Sequence, residues 1–125
     1  MEVALKNYPG RALINSVNGE EESITHVMPL AKRYGAALLC LPICSGDLPE
    51  KAEDRVALAE SIVNRAYGYG LQPHDLLLDP LVLTLASGED SARQTLSTLR
   101  YIKKNSVSQL LCLSNISFGM PQRHI

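Results

Sequence analysis

Little in this sequence points toward a membrane, a nucleic acid or an oxidising compartment. Lys and Arg number 12 against 13 Asp and Glu, a net charge of −1. That balance gives no field for gripping nucleic acid or an anionic bilayer. No apolar run approaches the roughly 20 residues a membrane helix needs. The opening stretch MEVALKNYPG lacks the basic and apolar regions of a secretory signal. Three cysteines are an odd count in a loop-poor chain, which argues against a disulfide scaffold and for a reducing cytoplasm. No nucleophile elbow, P-loop or GxGxxG motif is present, and His26, His74 and His124 lack metal-ligand spacing. The cationic residues are scattered and read as solvated helix faces.

What is present is a globular composition, 46% hydrophobic and 20% charged, in 125 residues, enough for one domain and one core. Short apolar runs alternate with amphipathic stretches. Met1–Tyr8 reads as the tail of a helix stopped by Pro9-Gly10. The run Ala12–Ile14 ends at Asn15. Asn18 reads as an N-cap, with Glu20, Glu21 and Glu22 in the first turn where negative charge suits the helix dipole. Ile24, Val27, Met28 and Ala31 keep helical spacing, and Gly35 is a natural stop. A second strand is expected over Ala36–Ile43. The next helix runs from Lys51 to about Tyr67, with Val56, Ala59, Ile62, Val63 and Ala66 on its buried face. Leu76–Leu78 forms a third strand, and a helix opening at 87–90 buries Ala92, Leu96, Leu99 and Ile102. The fourth strand is about Gln109–Leu113.

The order (α)βαβαβαβ predicts an α/β fold with a parallel sheet covered on both sides. Polar or thiol residues punctuate the strand ends at Asn15, Cys44, Asp79 and Asn115, at spacings of 29, 35 and 36 residues. A βα unit of a (β/α)8 barrel takes about 30 residues and a whole barrel about 250. The chain is thus the right size for about half a TIM barrel, four strands with three to four helices. A doubly wound sheet has the same periodicity, so spacing alone leaves both open. In either arrangement the four residues converge on one rim.

Each has an ordinary explanation and a chemical one. Asn15 and Asn115 suit turns and caps. Asp79, after three leucines, either accepts backbone N–H bonds or offers two oxygens to the paired N–H and NH2 donors of an aminopyrimidinone. After Asn115, the segment 116–123 carries Gly119, Pro121, Gln122 and Arg123. Cys40 and Cys44, on one expected strand, would lie about 13 Å apart, too far for one zinc ion or a disulfide. Cys40 and Cys112 are expected to be buried as small hydrophobes.

Together, GRALINSVNGEEE (10–22), EDRVALAESIVNRAYGYG (53–70), LLLDPLVLTLASG (76–88) and LCLSNISFGMPQR (111–123) resemble the pterin-binding methyltransferases that act on methyltetrahydrofolate and a corrinoid. The resemblance covers nearly the whole chain, residues 1–125, and the last two stretches are the most specific. It implies a (β/α)8 barrel, with this chain as its third to sixth strands. It implies pterin contacts from Asn15 and Asp79. Asn115 would reach N5 of the folate and act in catalysis. Gln122 and Arg123 would stand near the glutamate side and the corrinoid approach. Cys44 stands where the family usually has Asn or Asp, so its contact would be weaker. The implied substrate is methyltetrahydrofolate. The implied cofactor is a corrinoid (cobalamin) carried by a partner protein or module. Two unpaired edge strands predict either a fragment of a longer protein or an assembly, a homo-oligomer included, that covers them. Three other readings remain open: a pterin- or corrinoid-protein-binding half-domain without turnover, an enzyme like dihydropteroate synthase, and a structural fragment whose rim residues are only caps.

Overall fold

A computed structural model describes residues 1–81, 89–105 and 109–110. The elements are α1 (Glu2–Asn7), β1 (Leu13–Val17), α2 (Glu21–Tyr34), β2 (Ala37–Cys40), α3 (Ala52–Gly68), β3 (Leu76–Leu78), α4 (Glu89–Asn105) and β4 (Gln109–Leu110), with a 3-10 turn at Pro73–Asp75.

All strand pairs are parallel, in the order β1-β2-β3-β4. Sequential order is the mark of a barrel wall, because a doubly wound sheet reverses direction at its switch point. The helices confirm this. Ile14, Leu38, Cys40, Leu76 and Leu78 alternate along the strands and form one core with the apolar stripes of α2 and α3 and with Ile102 of α4. The opposite face carries Leu13, Asn15, Ala37, Leu39 and Leu77 at matching register. There Leu13, on the edge strand, is 49% exposed, whereas Leu39, on the central strand, is only 2% exposed. Helices pack on one face, and the other is the concave inner side of a partial barrel, the α/β architecture in which four strands and their helices form an arc.

A bulge in β1 solves a spacing problem. Asn15 pairs with Leu39 but Val17 pairs with Cys40, so Ser16 is the extra residue. Ile14 and Val17 are three apart and would face opposite ways in a regular strand. With the bulge both are buried in the helical core.

Local signals account for the ends of α2. Asn18 is not its N-cap, since the helix starts later, with Glu20 at that position. The Asn18 side chain instead accepts the Glu20 N–H at 3.0 Å, an Asx turn leading into the helix. At the other end Gly35 adopts φ 61°, and the Ala36 N–H returns to the Ala31 carbonyl at 3.0 Å, closing a Schellman motif. Glu21 also reaches across to α3, accepting two bonds from Arg65 at 2.6 and 2.8 Å. That contact holds its carboxyl below the usual range.

In α4 the buried face is rotated from the expected one. Thr95, Thr98 and Ile102 are buried, whereas Leu96 is 55% exposed. The threonines tolerate burial because their hydroxyls are satisfied. Thr98 bonds back to the Gln94 carbonyl at 2.8 Å, and Thr95 bonds to Leu81. The side chain of Ala92 lies outside the described residues.

Gly19 marks a close approach between the segments leaving β1 and β2. Its N–H donates to the Ile43 carbonyl at 2.9 Å, and a Cβ would stand 2.7 Å from Leu58 Cδ1 and 3.2 Å from that same carbonyl. Gly19→Ala should therefore destabilise the chain by roughly 1–3 kcal/mol, the usual cost of overpacking. Urea unfolding checks this, and an unchanged midpoint would contradict the tight approach.

Candidate functional site

The strand ends present their residues at different levels. Asp79 directly follows β3, where its N–H donates to the Cys40 carbonyl at 3.1 Å and extends the ladder by one bond. Its side chain is only 3% exposed. One carboxylate oxygen accepts the Leu81 N–H at 3.0 Å. Leu81 sits at φ 56°, a left-handed conformation costly for a residue with a Cβ. The turn Asp79-Pro80-Leu81 thus fixes a buried carboxylate at the C-terminal end of a central strand.

Asn15 is not at the end of its strand, because β1 continues to Val17. It lies level with Leu39 and Leu77 on the concave face, and its side chain is exposed. Alternation carried one residue past β3 puts Asp79 on the same face as Leu77. Two strand spacings across and two residues along, Asn15 and Asp79 are roughly 12 Å apart at their backbones. They share a face without touching.

Cys44 departs furthest from expectation. β2 ends at Cys40, so the two cysteines do not share a strand. Cys44 opens a tight turn in which Ser45 and Gly46 take φ 55° and 77°. Cys44 and Asp47 exchange backbone bonds of 3.0 and 3.1 Å across it. The thiol is exposed. Cys40 is buried as expected, and burial pushes its thiol up to about 12. Alkylation of the native chain should therefore modify Cys44 within minutes and leave Cys40 untouched, as read by peptide mapping. Rapid labelling of Cys40 would contradict its burial. The unfolded thiol ionises near 8.5. Cys40 therefore contributes stability that is complete below that pH and lost as pH rises toward 12.

Asn115, Gln122, Arg123, Cys112 and His124 lie outside the described residues. His26 and His74 are exposed. Among the described residues no group of three or more His, Cys, Asp or Glu side chains is placed to hold a metal ion. No helix among them is long and apolar enough to cross a membrane.

Sequence reasoning missed Arg55. It is not on a solvated face but is 2% exposed. Its Nε donates to the Pro49 carbonyl, and its Nη1 donates to Thr95 Oγ1 at 3.1 Å. Burial pulls the guanidinium below its ordinary range. The signal was available: Arg55, Ala59, Ile62 and Ala66 follow helical spacing along one buried stripe.

Two hollows lie elsewhere among the described residues. An open groove of about 770 Å³ runs between α3 and α4, lined by Lys51, Glu53, Glu60, Gln94 and Tyr101 among others. It lies on the helical side of the sheet. A second hollow of about 460 Å³ lies between α1 and β1, and Asn15 is part of its wall. Chemistry rather than volume singles out the concave face, since among the described residues only there does a buried carboxylate end a strand.

Comparison with known proteins bears on what that carboxylate serves. The family described as pterin binding enzyme matches residues 1–124. The methionine synthases of Mycobacterium tuberculosis (strain ATCC 25618 / H37Rv) and Mycobacterium leprae (strain TN) are each 33% identical over 132 aligned residues, covering 96% of this chain. A methylcorrinoid:tetrahydrofolate methyltransferase of Eubacterium limosum is 27% identical over 117 residues, covering 90% of the chain. The chain spans 11% of the length of each methionine synthase and 43% of the Eubacterium protein. Matched along nearly its whole length and folded as an arc of a parallel β/α barrel, the chain belongs to the pterin-binding enzyme family.

Proposed function

We propose that this chain forms the pterin-holding part of a methyltransferase that moves the N5-methyl group of methyltetrahydrofolate to a corrinoid. One observation carries the reading above all: Asp79 is buried at the end of a central parallel strand in a chain of the pterin-binding family. A relative named as a methylcorrinoid:tetrahydrofolate methyltransferase gives it direction. A buried carboxylate is costly unless donors satisfy it. A carboxylate has about four acceptor positions, so it can serve a backbone N–H and a pair of ligand donors together. The N–H and NH2 edge of a pterin supplies such a pair.

Asp79 would hold the pyrimidine edge, and Asn15, on the same face, would bond a different part of the bicyclic ring. Both act by positioning, so that the methyl group faces outward. Asn115 would bond N5. An amide does not titrate usefully, so it cannot be the acid. It can strengthen its bond as charge develops on N5, which is differential stabilisation of the transition state. The proton N5 needs would arrive through water or a carboxylate. Gln122 and Arg123 would contact the glutamate side of the folate, and Cys44 would add at most a weak contact. A corrinoid on a partner protein or module supplies the cobalt nucleophile that takes the methyl group. We further propose that the edges of the sheet are covered by the rest of a barrel or by a second copy of the chain.

Calorimetric titration of methyltetrahydrofolate into the purified chain, with solution mass recorded on the same sample, tests binding. Turnover with a reduced corrinoid tests transfer. Binding with turnover supports the full reading. Binding without turnover leaves a pterin-holding unit alone, and absence of binding by an intact, folded chain contradicts the proposal.

A further inference from the structure

We propose that Thr95 and Arg55 are positioning residues for Asp79, acting through the left-handed backbone of Leu81. This rests on the reading of Asp79 as a pterin ligand. The contacts form a continuous series. Arg55 Nη1 donates to Thr95 Oγ1 at 3.1 Å. The Thr95 hydroxyl donates to the Leu81 carbonyl at 3.3 Å. The Leu81 N–H donates to Asp79 Oδ1 at 3.0 Å.

Leu81 is the link that needs holding. Its φ of 56° is disfavoured for a side chain with a Cβ. Such a conformation persists only where its surroundings over-determine it. Both of its backbone groups are used here, the carbonyl by α4 and the N–H by the carboxylate. If Leu81 relaxed to an ordinary negative φ, its N–H would swing away and Asp79 would lose the donor that fixes one of its oxygens. Thr95 sets the carbonyl end, and Arg55 sets Thr95. Arg55 is itself anchored to the Pro49 carbonyl and has almost no exposed surface. The segments that follow β2 and β3 are thereby tied together through Arg55 of α3 and Thr95 of α4.

Removing Arg55 risks unfolding the chain, so Thr95 is the better probe. Thr95→Val keeps the shape and deletes the hydroxyl, whereas Thr95→Ser keeps the hydroxyl. Two readouts on the full chain serve. In the absence of folate, exchange of the Leu81 amide should accelerate roughly tenfold in Thr95→Val, the loss of about one hydrogen bond, and stay near wild type in Thr95→Ser. In calorimetric titration with methyltetrahydrofolate, Thr95→Val should weaken binding roughly tenfold, Thr95→Ser should restore it, and Thr95→Val should add nothing to Asp79→Ala. Unchanged Leu81 exchange in Thr95→Val overturns the proposal whatever the titration gives. An equal loss of affinity from Thr95→Val with and without Asp79 also overturns it, because Thr95 would then act by another route. If Asp79→Ala binds folate like wild type while Leu81 exchange still rises in Thr95→Val, the positioning series stands and the pterin reading fails.

Discussion

Asp79→Asn should reduce affinity for methyltetrahydrofolate by roughly a hundredfold while leaving the fold intact. The substitution is nearly isosteric. It keeps an oxygen for the Leu81 N–H, which is bonded at 3.0 Å in the wild type. Under the proposed binding mode, what changes is the second position, where an NH2 donor would replace an acceptor and face the donor edge of the pterin. A hydrogen bond to a charged group contributes about 1.5–3 kcal/mol, and an unpaired donor pair adds desolvation cost. Calorimetric titration gives the affinity, and a thermal melt run alongside reports the fold. Wild-type affinity in Asp79→Asn would mean that the carboxylate only closes its own turn.

The second large effect concerns stability. Leu38 is completely buried in β2, the strand flanked by β1 and β3, with its side chain in the core shared by the helices. Leu38→Ala removes three carbons from a site that cannot collapse easily, and should cost about 2–5 kcal/mol. Leu96→Ala deletes the same atoms from α4, but Leu96 is 55% exposed. That change should stay within roughly 0.5 kcal/mol. Paired urea titrations measure the difference. Equal destabilisation by the two variants would return Leu96 to the buried face that apolar spacing suggests and contradict the observed rotation of α4.

That contrast shows where the sequence was readable. The α2 and α3 stripes follow apolar spacing closely, and Ile24, Val27, Met28, Ala31, Val56, Ala59, Ile62, Val63 and Ala66 are all buried. Gly35 ends α2 because the turn needs a positive φ. These features are local, so residue type decides them. In α4 the inner stripe includes two polar residues: Thr98 bonds back within the helix to Gln94, and Thr95 is satisfied by partners distant in sequence. Hydrophobic spacing has no access to such partners and settles on Leu96 instead. Arg55 is the same case, a charge kept inside by the Pro49 carbonyl and a threonine 40 residues away. The bulge at Ser16 likewise moved the end of β1 beyond Asn15, because burying Val17 beside Cys40 outweighed a regular ladder.

For the site, the placement of Asp79 directly after β3 follows from LLLDP, three apolar strand residues closed by a carboxylate and a proline. The level of Asn15 and the displacement of Cys44 do not. β2 stops at Cys40, and Cys44, four residues on, opens a separate turn with two positive φ values. The spacing of Asn15, Cys44 and Asp79 falls once per βα unit but does not fix the height of each residue on its wall. Sheet order settled what periodicity left open, since β1-β2-β3-β4 with helices on one face is a barrel arc.

The most direct test of the pterin site is where the ligand lands. Amide shifts recorded while methyltetrahydrofolate is titrated into the isotope-labelled chain locate it residue by residue. The account predicts that the largest changes fall at Asn15, Leu77, Asp79 and Leu81 on the concave face. Changes confined to the groove between α3 and α4, around Glu60, Gln94 and Tyr101, would contradict it.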